Sequence, residues 1–144
     1  MKEFICKEFI CTALGVVGSF ITTLFGGWST GMITLIIFMV VDYITGLITA
    51  GVFKASAKSG NGGLESRAGW KGLCRKGVTL LVVLVAYRLD LLIGTNYIRD
   101  AVIIAFCANE LISIVENCGL MGLPLPKVII KAIDVLKSKE SEDK

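Results

Sequence analysis

The segment "FMVVDYITGLITA", residues 38–50, places one aspartate, Asp42, inside an otherwise apolar run. An apolar run of about 20 residues is long enough to cross the hydrocarbon core of a bilayer. On the insertion scale, an aspartate at the centre of such a helix costs about 2.5–3.5 kcal/mol. Asp42 must therefore face protein or water rather than lipid, and its partner is the first thing to look for.

The composition of the whole chain predicts a membrane protein. Of its 144 residues, 54% are hydrophobic and 19% are charged, and the mean hydropathy is +0.75. Soluble domains carry about 25% charged residues, and a soluble chain of this length could not bury so many apolar side chains in one small core. We therefore predict an all-α integral membrane protein that forms a single membrane domain.

Four stretches approach the length of a membrane span, namely residues 9–25, 32–53, 77–93 and 98–118. After them, residues 124–138 show apolar side chains at helical spacing, which predicts an amphipathic helix. This helix could lie on the membrane surface, or pack on the protein's own basic loop or on a partner. Residues 139–144 are polar and are predicted to form a disordered tail.

The distribution of lysine and arginine predicts the orientation. The segment 54–76 contains one acid, Glu65, and six basic residues, which are Lys54, Lys58, Arg67, Lys71, Arg75 and Lys76. Cytoplasmic loops carry such an excess of basic residues. We therefore predict four spans with the basic loop and both termini on the cytoplasmic side.

Several residue types that enzymes need are missing or badly spaced. The chain has no histidine, and its five cysteines include no C-x-x-C pair. Neither a serine–lysine pair nor a pair of aspartates suggests an intramembrane enzyme. We therefore expect no catalytic site, no metal, no cofactor and no nucleic-acid partner.

Polar residues form a mild stripe on the first predicted helix (Thr12, Gly15, Ser19, Thr22 and Thr23) and more strongly polar stripes on the second and the fourth. At about 100° per residue, the stripe on the second helix comprises Asp42, Thr45, Gly46 and Thr49, and the stripe on the fourth comprises Asn109, Glu110, Ser113, Glu116 and Asn117. These stripes could pack together within one monomer, with Asp42 bonded to a neighbouring helix. They could also meet between subunits or line a water-filled pore. The sequence shows no basic residue at the depth of Asp42, which favours assembly or water.

Three segments resemble the toxin-secretion/phage-lysis holin family. They are "VDYITGLITA", "SRAGWKGLCRKG" and "NELISIVENCGLMGLPLPKVIIKAI", and together they extend over roughly residues 35–136 in the order typical of the family. The positions that match the family pattern are Asp42, Thr45, Gly46, Ser66, Gly69, Trp70, Lys71, Gly72, Lys76, Glu110, Ser113, Glu116, Asn117, Gly122, Pro124 and Pro126.

The resemblance implies a small phage or prophage protein of the bacterial inner membrane, not an enzyme. Such proteins form homo-oligomeric lesions that release an endolysin or a toxin, and some are paired with an antiholin. In this interpretation Asp42 is costly in the dispersed protein and hydrated in the assembled one. The alternatives are a small ion channel or transporter subunit, which would conduct ions without any lysin, and a membrane-anchoring scaffold.

Overall fold

The computed structural model describes residues 2–142, apart from the side chains of residues 2–5, 133 and 136–142. The described residues form five α-helices and no strand. In chain order these helices are α1 (Lys2–Leu24), α2 (Thr30–Gly51), α3 (Ser66–Ile93), α4 (Ile98–Leu120) and α5 (Lys127–Glu142). The all-α prediction is therefore confirmed.

Three of the helices, α2, α3 and α4, pack into a bundle with a small apolar core. Met32, Leu35 and Met39 of α2 meet Val83 of α3 and Ile103 of α4, and all five side chains are buried. Helix α4 packs extensively against both of the other helices, whereas α2 and α3 contact each other only sparsely. Helix α4 is therefore the centre of the bundle.

Two glycines on α2 face α4, and at Gly31 the two helices leave little room for a side chain. A Cβ atom on Gly31 would lie 3.2 Å from the Cγ2 atom of Ile103, and one on Gly46 would lie 3.7 Å from the Nδ2 atom of Asn117. Small residues at helix contacts permit such packing in membranes. The polar face predicted around Gly46 is thus the face that meets α4.

Helix α1 stands apart from this bundle. None of the residues in its apolar part, Cys6–Leu24, is buried, and large side chains such as Phe9 and Phe20 are more than half exposed. A helix with apolar side chains all round needs lipid or another protein surface around it. The fold within one chain supplies neither for α1.

The turn after α1 joins that helix to the bundle through Arg99 on α4. Nη1 of Arg99 donates hydrogen bonds to the carbonyl oxygens of Phe25 and Gly26, each at 3.0 Å. Its guanidinium also lies 5.6 Å from the ring centroid of Tyr87 on α3. Gly26 has φ +76°, and a Cβ atom there would overlap the Tyr87 ring. Only glycine fits this turn.

Asp90 organises the connection between α3 and α4. It is only 3% exposed, and its carboxylate accepts hydrogen bonds from the Thr95 hydroxyl at 2.6 Å and from the backbone amides of Ile98 and Arg99 at 3.1 and 2.8 Å. It therefore satisfies free amides at the start of α4 and complements that end of the helix dipole.

Two described helices are long and apolar enough to cross a membrane, which corrects the prediction of four. They are Cys6–Leu24 within α1 and Thr30–Gly51, which is the whole of α2. Helices α3 and α4 have sufficient length, with 28 and 23 residues. They carry more charged side chains than α2, in which Asp42 is the only aspartate, glutamate, lysine or arginine, and this lowers their apolar character.

The bounds of three elements differ from those inferred from the sequence. Helix α3 begins at Ser66, so residues 66–76 are helical although the sequence placed them in a loop. Helix α5 begins at Lys127, directly after Pro126, because proline is readily accommodated where a helix starts. It continues to Glu142 through most of the predicted tail, of which residues 143–144 lie outside the described part of the chain.

Candidate functional site

Three ionised side chains from three helices meet inside the bundle. Nζ of Lys76 on α3 lies 2.7 Å from Oδ2 of Asp42 on α2 and 2.5 Å from Oε2 of Glu110 on α4. Each of these side chains is at most 12% exposed. The expectation that Asp42 has no basic residue at its depth is therefore wrong.

The early start of α3 explains how Lys76 reaches this depth. Lys76 lies ten residues after Ser66, so the helix carries it about 15 Å from its own N-terminus. Asp42 lies twelve residues after Thr30, about 18 Å along α2. Because α2 and α3 enter the bundle from opposite ends, both positions fall near its middle. A flexible loop over residues 54–76 would not have placed the ammonium group there.

Asn117 binds the carboxylate oxygen of Asp42 that Lys76 does not contact. Its Nδ2 donates hydrogen bonds to Oδ1 of Asp42 and to the hydroxyl of Thr45, both at 3.1 Å. The Thr45 hydroxyl in turn donates to the backbone carbonyl of Asp42 at 3.0 Å. Thr49, which is 1% exposed, donates to the carbonyl of Thr45 at 2.8 Å. The polar stripes of α2 and α4 therefore meet each other within one chain.

Lys58 brings the loop between α2 and α3 onto the same network. Its Nζ donates a hydrogen bond to the Ser113 hydroxyl at 3.1 Å and lies 4.0 Å from Oδ1 of Asp42. The loop is closed on itself, because the Ser56 amide donates to the Gly62 carbonyl at 3.0 Å. With Lys58 and Lys76 against Asp42 and Glu110, the network contains two positive and two negative charges.

A cavity of about 390 Å³ opens from the network toward the loop. Its inner wall includes Asp42, Lys76 and Glu110. Its outer wall includes Lys71 and Arg75 of α3, whose side chains are exposed. Within the described residues, neither of these two cations has a carboxylate oxygen within 4.0 Å.

The structure separates the predicted site residues into three groups. Asp42, Thr45, Thr49, Glu110, Ser113 and Asn117 belong to the network, and Gly46 lies at its helix contact. Asn109, Lys71 and Arg75 line the cavity, together with Lys76. Glu116 and Arg67 are exposed and do not line it.

Two polar residues that the sequence analysis passed over are structurally important. Asp90 and Arg99 stabilise the end of the bundle that lies away from the basic loop. Asp90 lies eight residues before the start of α4. A residue that caps a helix normally lies directly before it, so the sequence did not indicate this role. The part of the chain that the structure describes contains no cluster of three or more metal-ligating histidine, cysteine or acidic residues.

Comparison with known proteins points to one family. The family model described as the bacteriophage holin family matches residues 19–138. This range contains the whole network, its cavity and both ends of the bundle. No solved structure matches the chain.

Similar proteins occur in several bacteria and in a phage. An uncharacterised protein of Listeria monocytogenes is 39% identical over 127 residues, which are 88% of this chain and 85% of that protein. One from Clostridium perfringens is 37% identical over 136 residues, covering 92% and 95%. A protein of Bacillus phage phi105 named probable holin is 33% identical over 109 residues, covering 75% of each chain.

Replacing Lys76 with methionine should destabilise the bundle strongly. The change keeps most of the side-chain volume but leaves Asp42 and Glu110 without their shared cation, and breaking a buried ion pair costs about 3–5 kcal/mol. We expect a large drop in the unfolding midpoint of the protein in mild detergent, measured by circular dichroism. The matched control is Lys71→Met, which removes an exposed lysine of the same helix.

Adding Glu110→Gln to Lys76→Met should recover part of the lost stability, because only one buried carboxylate then lacks a cation. An unchanged midpoint for Lys76→Met alone would contradict the assignment of Lys76 as the centre of the network.

Proposed function

Because the chain belongs to the bacteriophage holin family, we propose that it acts as a holin that accumulates in the bacterial cytoplasmic membrane and assembles into lesions there. Those lesions would release an endolysin, or a toxin, that carries no export signal of its own. The observation that carries this proposal is the family match over residues 19–138. The phage phi105 relative named probable holin supports it.

Although α3 and α4 carry more charge than the two apolar helices, we propose that they also cross the membrane, as parts of one bundle with α2 and with both chain termini in the cytoplasm. The turn after α1 and the turn between α3 and α4 lie at one end of the bundle, joined by Arg99. The basic loop lies at the other end, joined by Lys58 to Ser113. The outward face of α3 is apolar, with Val78, Leu81 and Val85 more than half exposed. Such a face suits lipid, and the deepest charges of α3 and α4 are paired.

Cysteine labelling tests this topology. In a variant without native cysteines, an impermeant maleimide added outside spheroplasts should label Asn96→Cys, between α3 and α4, but not Ala57→Cys, in the basic loop. Both positions are exposed, so detergent permeabilisation should make both reactive. If only α1 and α2 cross, Asn96→Cys is protected in intact spheroplasts, and the proposed crossing of α3 and α4 is wrong.

In the dispersed protein the ion network keeps α2, α3 and α4 together, and we call this arrangement the closed form. Asp42, Lys76 and Glu110 satisfy one another inside a single chain, which lowers the cost of keeping them at membrane depth. If the helices separate during assembly, the same charges become available to water in a lesion. In this proposal the network as a whole, and not Asp42 alone, sets the free-energy cost of the dispersed state, because Lys76 offsets part of the cost of burying Asp42.

Helix α1 supplies a surface for self-association in this proposal. Its apolar residues make no buried contact in the single chain, and Gly15 and Gly18 have open space beside them. Small residues on a spanning helix permit close approach of a second helix. A second copy can therefore replace lipid on α1 without first breaking the bundle of α2, α3 and α4.

Expression with and without an endolysin tests the proposed function. Induction of this chain alone in a bacterium should stop growth abruptly and depolarise the membrane. Lysis should follow only when a cytoplasmic endolysin is co-expressed. A steady ion-selective current without passage of the folded lysin would support the channel alternative instead. Stable growth with the protein at normal level in the membrane would favour the scaffold.

The Asp42→Asn substitution tests the role of the network in timing. It removes one charge but retains an amide that can bond Asn117, so the protein should still insert and accumulate. Because the closed form loses an ion pair, we expect lysis to begin earlier at equal membrane levels, followed by culture density. The control is Asp134→Asn, which removes an exposed acid from α5. Unchanged timing for Asp42→Asn would leave Asp42 as a packing residue only.

A further inference from the structure

The cavity beside the ion network continues into an apolar groove on the outside of α2 and α3. The large apolar and aromatic lining residues of the groove are Tyr43, Leu47, Leu64, Trp70 and Leu73, and Glu65, Ser66 and Gly69 complete the lining. Tyr43, Leu47 and Leu64 line the cavity as well. The polar cavity and the groove therefore share part of their lining.

We propose that the cavity and groove together bind one anionic phospholipid, with its phosphate in the cavity and an acyl chain along the groove. This binding site is distinct from lesion formation and requires only that α2 and α3 lie in a bilayer. The surrounding membrane supplies the ligand. The charge of the cavity, an unpaired hydroxyl group and the shape of the surface all suit such a ligand.

The charge balance of the cavity favours an anion near its outer wall. The inner residues Lys58 and Lys76 are opposed by Asp42 and Glu110, which leaves that part neutral. The remaining ionisable residues of the lining are Lys71, Arg75 and Glu65. They sum to one positive charge, which matches a headgroup with a single phosphate.

Lys71 and Arg75 are placed to act together on that phosphate. They are four residues apart on α3, so they lie on the same face of the helix. Within the described chain neither makes an ion pair. Basic residues close to the membrane surface attract anionic lipids, and arginine can bind phosphate oxygens in a bidentate manner.

Ser59 provides a further polar group that lacks a hydrogen-bond partner within the described part of the chain. It lines the cavity, and its Oγ atom is buried without a hydrogen-bond partner among the described residues. Buried hydroxyl groups are normally hydrogen-bonded, so an unpaired one calls for a ligand or a water molecule. A phosphate or glycerol oxygen of the headgroup could accept its hydrogen bond.

The groove distinguishes a lipid from a soluble phosphate. Trp70 and Leu73 are 67% and 48% exposed, which is costly in water but suitable for contact with an acyl chain. Tryptophan also favours the boundary between hydrocarbon and headgroups. Trp70 immediately precedes Lys71, so one stretch of α3 offers an apolar contact and a cation to the two parts of the same molecule.

Brominated lipids test the proposal through the fluorescence of Trp70. The chain has two tryptophans, so Trp28→Phe leaves Trp70 as the only one. This full-length variant is reconstituted in phosphatidylcholine vesicles that contain a minor fraction of either brominated phosphatidylglycerol or brominated phosphatidylcholine. Bromine quenches tryptophan on contact. We expect the anionic lipid to show an apparent affinity for the Trp70 site about tenfold higher than that of the zwitterionic lipid.

Two pairs of substitutions separate this site from general attraction to a charged surface. Lys71→Gln with Arg75→Gln removes two cations from the cavity and should bring the preference close to onefold. Arg67→Gln with Lys131→Gln removes the same charge from exposed positions outside the cavity and should leave the preference unchanged. Circular dichroism in the same vesicles checks that both pairs keep the helical fold.

Three results would overturn the proposal. Equal quenching by both brominated lipids would show no headgroup preference at Trp70. A preference that survives Lys71→Gln with Arg75→Gln would place the interaction elsewhere. Loss of the preference when inorganic phosphate is added, but not when sulfonate buffer of equal ionic strength is added, would identify a site for soluble phosphate instead of lipid.

Discussion

Lys76 between Asp42 and Glu110 is the interaction on which the arrangement of the bundle depends. The three residues come from three different helices, and their charged atoms lie within 2.7 Å of each other in both pairs. A charge inside a bundle of this kind is tolerated only with a partner, so each helix must present its charged residue at one depth and on one face. The network therefore specifies the register of α2, α3 and α4, whereas the small apolar core could tolerate a slide along the helix axes.

The two ends of the bundle use different means to hold the connections in place. At one end, Asp90 and Arg99 bind backbone groups, which joins the turn before α2 to the turn before α4. At the other end, the loop is held by the side chain of Lys58 on Ser113. Lys58 is more than half exposed, and exposed ion pairs contribute little stability. The loop end is therefore the weaker of the two, and it is also the end at which the cavity opens.

Helix α1 and the bundle have opposite requirements within the same chain. The bundle satisfies its polar groups internally and buries its core, whereas α1 leaves all of its described side chains without buried contacts. In the proposed assembly, this difference separates the burial of charge, which the bundle performs, from association with other copies, which α1 performs. The bundle can remain closed while α1 exchanges lipid for another protein surface, since such an exchange needs no buried charge to be uncovered. This separation suits the proposed holin function, because a holin accumulates in the membrane before it assembles into lesions.

The sequence by itself determined that the chain is helical, that α1 and α2 are apolar enough to span a bilayer, and that Asp42, Glu110 and Asn117 lie on polar faces. These features are local, because hydropathy and a helical repeat follow from neighbouring residues. Only the tertiary structure decided that Lys76 is the partner of Asp42, since residues 34 positions apart meet only when α3 starts at Ser66 and runs back along the bundle. It also showed that Asp90 accepts hydrogen bonds from the backbone amides at the start of α4. The partner of a buried charge depends on how distant segments pack together, and local hydropathy or helical periodicity cannot predict that packing.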